Sequence, residues 1–575
     1  MLRFICLVLL LLMAFGVTGR GVAAGLRAGV ASCDVTPPIG CNMWGYSARE
    51  GVAEQVHDPL MAKVLALGTD EGSLAIVTLD LGRCFDPDLR EIIEKRAAAS
   101  GIDNVIIVAS HTHQGPDMET REWPSADSPW QDAAASKVAD AVAEAAANMQ
   151  PAVIGFGVGE VDLAHNRRLV MPDGSVRMFW RNDKREPTSP VDKTVRVLRV
   201  DATDGGHIAL LVNYACHSVV LGPDNLMLSA DYPGAMRRAV ESKWGGQCLF
   251  AQGACGDINP YMDKTPLNQN GVEEMEKMGQ ALGAEVLRVA TGVQTAPLTQ
   301  DAVTFSRRVF ELESRWEFSE AAIQALLKKY EAYVERMGED RVRAYVERMA
   351  KGASVPATVA VLGDRYALCG FPGEFFVEHQ LELTRRSPLA ATMFFGYADG
   401  MAGYFPTIQA AVEGGYGAGY STFVEVGAGE RMVDAAVISI LGAIGKLRPV
   451  PSEEVPDYPE EDEAAQASVD SLEAWFLGLP DSFNAEAAGD LKAVYYFNVT
   501  GEKGGDYAIT VADGKCAVEQ AKPEGPDVTV TIADADMLAL ARGELDPVAA
   551  YMGGKLVIDG DMSLALKMPE VFFGD

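Results

Sequence analysis

Short apolar runs punctuated by Gly, Pro, Asn and Asp recur through the first three quarters of this chain and read as strands. Ala28 to Gly40 is a strand that ends in the turn Asp34-Val-Thr-Pro-Pro-Ile-Gly40. Leu60 to Leu67 and Leu74 to Leu81 are separated by Gly68-Thr-Asp-Glu-Gly72, and Val195 to Val200 and Ile208 to Tyr214 by Asp204-Gly-Gly206. Val105 to Ala109 is too short for a helix, and Leu362 to Gly370 reads as a further strand. Between these runs, Pro87 to Ser100 is amphipathic, Ala133 to Met149 is Ala-rich and Glu430 to Leu447 is apolar, each helical in pattern. This alternation predicts a mixed α/β domain whose site is built from loops at strand ends. Glu311 to Met349 differs, with apolar residues recurring every three or four positions in a charged background. It predicts a helical hairpin, broken near Gly338, inserted into the domain.

After Arg448 the pattern changes. Residues 448–467 are proline-rich and acidic, the composition of an extended linker. Residues 468–575 read as a separate small α+β domain. Its helices are expected at Ser468 to Leu479 and Asp536 to Gly543. Its strands are expected at Ala493 to Val499, Asp506 to Val511, Lys515 to Gln520 and Val528 to Ile532. Val548 to Met568 is rich in Met and Leu and is expected to line an apolar face.

The start, M-L-R-F-I-C-L-V-L-L-L-L-M-A-F, is a basic end followed by an apolar core, with Val22-Ala23-Ala24 offering small residues to a peptidase. Residues 1–24 therefore read as a signal peptide; an uncleaved anchor is the alternative, though the apolar run is short for a span. Export places the protein in a secreted or periplasmic setting, and no later stretch is apolar enough to cross a bilayer. A net charge of −32 over 575 residues argues against nucleic acid and against anionic membranes. Cysteines are sparse and lack a zinc-type Cys-x-x-Cys pattern; most read as buried small hydrophobes, with Cys33–Cys41 a candidate local bridge.

The chemistry gathers at strand ends. Val105-Ile-Ile-Val-Ala-Ser-His-Thr-His-Gln-Gly-Pro-Asp117 runs a buried strand into His111 and His113. In extended backbone, residues two apart face the same way, so the two imidazoles are expected to project together as metal ligands or proton carriers; two polar residues in a turn is the alternative. Three further stretches set reactive residues beside tight turns: Asn213-Tyr-Ala-Cys-His217, Gly370-Phe-Pro-Gly-Glu374 and Gln252-Gly-Ala-Cys-Gly-Asp-Ile-Asn-Pro260. Imidazoles and a carboxylate are the ligand types that catalytic zinc sites use.

Taken in order, Ser-His-Thr-His-Gln-Gly-Pro, the strand ending in His217, Gly-Asp-Ile-Asn-Pro, Pro-Gly-Glu and the Asp-Val-Thr-Pro-Pro start resemble the neutral/alkaline ceramidase family, over roughly Arg27 to Leu447. The resemblance implies a zinc amidase domain at 25–447 that cleaves an N-acyl sphingolipid amide. It implies His111, His217, Glu374 and Tyr404 as ligands of Zn2+, with His113 near the reacting amide. It matches the family's site arginine to Arg167, and its second site tyrosine to Tyr416, with Tyr420 in competition. Asp257 is expected to orient its loop. The family's Gly-Asp-x-Ser-Pro serine is Asn259 here, so the expected attack is by activated water without an acyl-enzyme, with Asn259 as an oxyanion donor. Residues from 468 on resemble a sterol-carrier-type lipid-binding domain, on Gly-Asp-Tyr-Ala-Ile-Thr-Val, Pro-Asp-Val-Thr-Val-Thr-Ile and Met552-Gly-Gly-Lys-Leu-Val-Ile-Asp-Gly-Asp561. The expected partner is a lipid or other N-acyl amide substrate. The rival readings are a zinc hydrolase of another amide or ester, and a non-catalytic lipid-transfer protein whose amidase domain has decayed. The sequence sets no oligomeric state.

Overall fold

A computed structural model describes residues 25–119, 121–298, 302–316, 319–329, 331, 334–335, 338–419, 421–447 and 471–572. The leader at 1–24, the linker at 448–467 and Tyr420 lie outside the described residues. Contacts divide the chain into two units that part between Arg448 and Pro449.

The first unit is built on an eight-stranded sheet. Its order is Gln247–Gln252, His207–Tyr214, Thr194–Ala202, Gln150–Glu160, Arg27–Asp34, Met61–Thr69, Gly72–Leu79 and Asn104–Ala109. The strand Asn104–Ala109 shows why these runs are unbroken apolar. Val105, Ile107 and Ala109 pack under the helices Pro87–Ala99 and Trp130–Ala147, while Ile106 and Val108 pack on the opposite face against a second sheet. With both faces covered, no position is left for a polar residue. The second sheet runs Val303–Leu312, Ala353–Leu362, Tyr366–Gly370 and Ala391–Phe395. Its far face is covered by the helices Val377–Arg386 and Ala428–Ala443, so the unit is layered helix, sheet, sheet, helix.

Several elements differ from expectation. Of the run Leu362 to Gly370, Tyr366–Gly370 is a strand, while Leu362 ends the preceding antiparallel strand and Gly363, at φ 60°, turns the chain between them. The charged stretch begins later than its pattern suggested: Glu311 and Leu312 end a strand. The helices Glu320–Lys329 and Glu339–Ala350 lie beyond it among the described residues, where Ile323 and Leu327 pack on Val342 and Val346. Gly338, at φ 88°, immediately precedes the second of them. Cys33 and Cys41 stay unpaired, as do the other described cysteines. Among the described residues no helix is long and apolar enough to cross a membrane.

The second unit is a five-stranded sheet ordered Lys515–Glu519, Gly505–Ala512, Ala493–Thr500, Val528–Ala533 and Leu556–Gly560. Tyr495, Phe497, Val499, Tyr507, Ile509 and Val511 alternate onto its inner face, where Phe476 stacks on Tyr507 at 4.1 Å. The Met-rich stretch lines the apolar core in part, through Ala550, Leu556, Ile558, Leu564, Ala565 and Met568. It breaks into the helix Pro547–Met552, the edge strand Leu556–Gly560 and the helix Met562–Phe572, which leaves Met552 82% and Leu566 73% exposed.

In the first unit, two strands at opposite edges of the large sheet are tied together by Gln252. Its Nε2 donates to Ser110 O at 3.0 Å and Cys216 O at 2.8 Å. Its Oε1 accepts from Cys216 N at 3.3 Å and Gly253 N at 3.1 Å. Ser218 Oγ adds a second bond to Ser110 O at 2.9 Å. Gln252→Ala leaves buried carbonyls and amides unsatisfied and is expected to cost about 2–4 kcal/mol. Urea unfolding checks this; an unchanged midpoint would show that the edges hold without it.

Candidate active site

His111 follows the strand Asn104–Ala109 after one residue, and its backbone is left-handed at φ 61°. The alternation expected of extended backbone therefore does not apply to His111 and His113. A turn brings their rings together instead, edge to face at 5.0 Å. His111 Nδ1 donates to Gly82 O at 2.8 Å, and His217 Nδ1 to Ile258 O at 3.1 Å. Because a carbonyl only accepts, both imidazoles carry a proton on Nδ1 and turn Nε2 inward. His111 also stacks on Tyr397 at 4.0 Å. Tyr397 is held from both sides, its hydroxyl 3.1 Å from Cys255 Sγ and its carbonyl accepting from Cys84 Sγ at 3.0 Å.

Glu374 pairs with Tyr404 in a two-residue parallel ladder. Its Oε2 lies 3.3 Å from His111 Nε2 and 3.2 Å from His217 Nε2. His113 Nε2 is 3.4 Å from His111 Nε2, and the three histidines bring ligand nitrogens within 4.8 Å of one another. Burial, then Arg167, lowers His217 to about 3, so its imidazole is neutral. Burial alone would raise the Glu374 carboxyl, but His111 and His217 outweigh it and hold the group well below the usual carboxylate range. Buried imidazoles with their Nδ1 atoms pinned and Nε2 turned inward, beside an ionised carboxylate, are a donor set that fits zinc.

Arg167 is brought in by the pairing of the short strands Ala164–Asn166 and Ile258–Pro260. Its Nη2 donates to Gly256 O at 2.6 Å and Tyr404 OH at 3.0 Å, and its Nη1 to Asn259 Oδ1 at 3.1 Å. Asn259 Nδ2 donates to Asp263 Oδ2 at 2.9 Å. These bonds make Asn259 a bridge between the arginine and a buried carboxylate. Asp257 lies in the wall of the site: it accepts from Asn166 Nδ2 at 2.6 Å and from Val377 N, at the start of a helix, at 2.8 Å. Burial pushes its carboxyl up to about 6. Tyr416 is 43% exposed, its ring 5.6 Å from Tyr404 and 5.3 Å from the Arg167 guanidinium.

The structure thus gathers His111, His113, His217, Glu374, Tyr404, Arg167 and Asn259, with Tyr416 at the rim and Asp257 behind the wall. Sequence reasoning gave no role to Trp44 and Tyr46, whose rings lie 5.0 and 4.9 Å from His113, nor to Tyr397, Gln252, Asp263 or Lys264. Gln252 opens the motif that ends at Pro260, and Asp263 and Lys264 lie just downstream of Asn259.

Residues 26–346 match the family described as neutral/alkaline non-lysosomal ceramidase, N-terminal, and residues 474–573 match the SCP-2 sterol transfer family. Among solved structures, neutral ceramidase from Pseudomonas aeruginosa aligns over 88% of this chain and 94% of its own, with a TM-score of 0.57 at 16% identity, a likeness of fold. Hydroxysteroid dehydrogenase-like protein 2 of Xenopus tropicalis is 32% identical over 101 residues, 17% of this chain and 24% of that protein. Stomatin-like protein 1 of Homo sapiens is 32% identical over 123 residues, 21% of this chain and 31% of that protein. The chain therefore spans about a quarter to a third of the length of these curated relatives.

The bridge through Asn259 is testable. A serine hydroxyl is too short to reach both Arg167 and Asp263, so Asn259→Ser is expected to leave the buried Asp263 carboxylate with Lys264 as its remaining side-chain donor and to cost about 1–3 kcal/mol. Thermal unfolding reads this, and an unshifted midpoint would mean that the bridge does not contribute.

Proposed function

The chain belongs to the neutral/alkaline non-lysosomal ceramidase family, a family of amide hydrolases, and on that footing we propose that it hydrolyses the amide of an N-acyl lipid with zinc as cofactor. The observation that carries this reading is the convergence of His111 Nε2 and His217 Nε2 on Glu374 Oε2 at 3.3 and 3.2 Å, in a buried setting. His111, His217 and Glu374 would hold the ion. Tyr404, adjacent in register to Glu374, is the fourth ligand in this reading. The chemistry that zinc supplies in such a site is Lewis acidity, which acidifies water and polarises a carbonyl.

The remaining steps belong to the side chains. Among the described residues the His113 ring has no partner for its Nδ1, unlike the rings of His111 and His217, so it is free to take a proton from the attacking water and deliver it to the leaving nitrogen. Arg167, held by three uncharged oxygen atoms, brings a fixed positive charge for the oxyanion, and the exposed Tyr416 ring flanks it. Asn259 offers no nucleophile, so water attacks without an acyl-enzyme. Asp257 keeps Asn166, and with it Arg167, in place. In the second unit, the apolar core around Tyr495, Phe497 and Met537 supports a role in binding a long-chain lipid, in line with its SCP-2 match. Export, resting on the pattern of residues 1–24, is part of the proposal.

Elemental analysis of purified protein is expected to find about one zinc per chain. His111→Ala should lose both the metal and hydrolysis of N-acyl lipids; retention of stoichiometric zinc would falsify the ligand assignment. For the second unit, the full chain is expected to take up a fluorescent fatty-acyl probe saturably, and to keep doing so after His111→Ala. Uptake that vanishes with His111 would place the lipid at the histidines instead.

A further inference from the structure

Two cations pack on one indole at the rim of the histidine cluster. The Arg167 guanidinium carbon lies 5.1 Å from the Trp180 ring centre, and Lys264 Nζ lies 4.7 Å from it. Trp180 meets Tyr416 edge-on at 5.2 Å. Lys264 Nζ is also 6.0 Å from Tyr46, whose ring tilts against His113 at 4.9 Å. His113, Tyr46, Lys264, Trp180, Tyr416 and Arg167 therefore follow one another around a single rim.

Like charges this close need something to hold them. Asp263 Oδ2 accepts from Lys264 Nζ at 2.6 Å and from Asn259 Nδ2 at 2.9 Å, and Asn259 Oδ1 accepts from Arg167 Nη1. One carboxylate thus serves two cations. Arg167 makes its own bonds to uncharged oxygens, and its buried Nε has no partner. Lys264 has three N–H donors, spends one on Asp263, and leaves its side chain 34% exposed. Its backbone is fixed as well, at φ 50°, with Lys264 N donating to Val219 O at 2.9 Å, two residues beyond His217. A cation held this way loses little freedom when it meets a ligand.

We propose that Lys264 is a specificity-determining residue. With Arg167 it accepts an anionic group, so the favoured substrate is an N-acyl amide whose amine half bears a carboxylate, an N-acyl amino acid, ahead of a neutral amide. The inference rests on the amide-hydrolase reading above. A charge-assisted hydrogen bond against aromatic walls favours the charged substrate by roughly tenfold or more. The fatty acid released by hydrolysis is also a carboxylate, so the test must separate the two sources.

The experiment uses the full-length, zinc-loaded protein with N-lauroylglycine and its neutral counterpart N-lauroylethanolamine. kcat/KM is measured for each in the wild type, Lys264→Met and Lys264→Arg, with laurate as a product inhibitor. The expected result is a preference of about tenfold or more for N-lauroylglycine. It should be lost in Lys264→Met, largely kept in Lys264→Arg and reduced by added salt, with laurate inhibiting all three proteins alike. Both substrates are read on the same preparation, so partial misfolding cancels in the ratio. A wild-type ratio near one, or the same ratio in Lys264→Met, overturns the proposal. So does weakened laurate inhibition in Lys264→Met with the ratio intact, which assigns the rim to the product. If neither amide is hydrolysed, titration of tryptophan fluorescence with the same two amides judges the rim alone. Tighter binding of N-lauroylglycine that Lys264→Met abolishes supports it, and equal binding of the two overturns it.

Discussion

The site depends on one buried primary amide. Gln252 ends a strand at one edge of the large sheet, and Ser110, just before His111, follows the strand at the other edge. Between them stands Cys216, the residue before His217. The amide faces two carbonyls that need donors and two backbone N–H groups that need an acceptor. A primary amide is the neutral side chain that does both at once. An ionised carboxylate in its place would face the two carbonyls with no proton to offer. The spacing between the two histidines is therefore set by a residue that touches neither ring.

This explains what could be read from the sequence and what could not. The strand Asn104–Ala109 was legible because burial on both faces writes an unbroken apolar run, and the small sheet around Tyr495 and Phe497 was legible as short runs rich in β-branched and aromatic residues. The identity of the clustered imidazoles and Glu374 was visible as motifs, whereas the way they converge was not. His111 leaves the strand in a left-handed turn, which no alternation rule anticipates. Gln252 lay inside a quoted motif, yet its role exists only once the sheet has curled to bring its edges together. Tyr397 is invisible for a similar reason, since its stack on His111 joins residues from different sheets. The Met-rich tail was legible only in part, because composition cannot say which side of a helix faces inward.

The electrostatics work on two scales. Over the whole chain the charge is strongly negative, but screening confines such fields to about 10 Å at ordinary ionic strength. Inside that distance the site follows its own arrangement: Glu374 among imidazoles, Asp263 between two cations, and Asp80 paired with Arg237 beneath the sheet. Buried charges there are matched by partners or by fixed dipoles, as desolvation requires.

The side chains proposed as ligands come from segments far apart along the chain, with His217 and Glu374 separated by 157 positions. Contacts of such long range form late in folding, after loop-closure entropy has been overcome by sheet and helix packing. A nascent or partly folded chain therefore has no chelating pocket and cannot scavenge metal prematurely. Once folded, the pocket binds only in the native state, so any bound ion raises the free-energy gap to the unfolded ensemble in proportion to the logarithm of its free concentration. If the protein binds zinc and is exported as proposed, its durability would then follow the metal content of its surroundings.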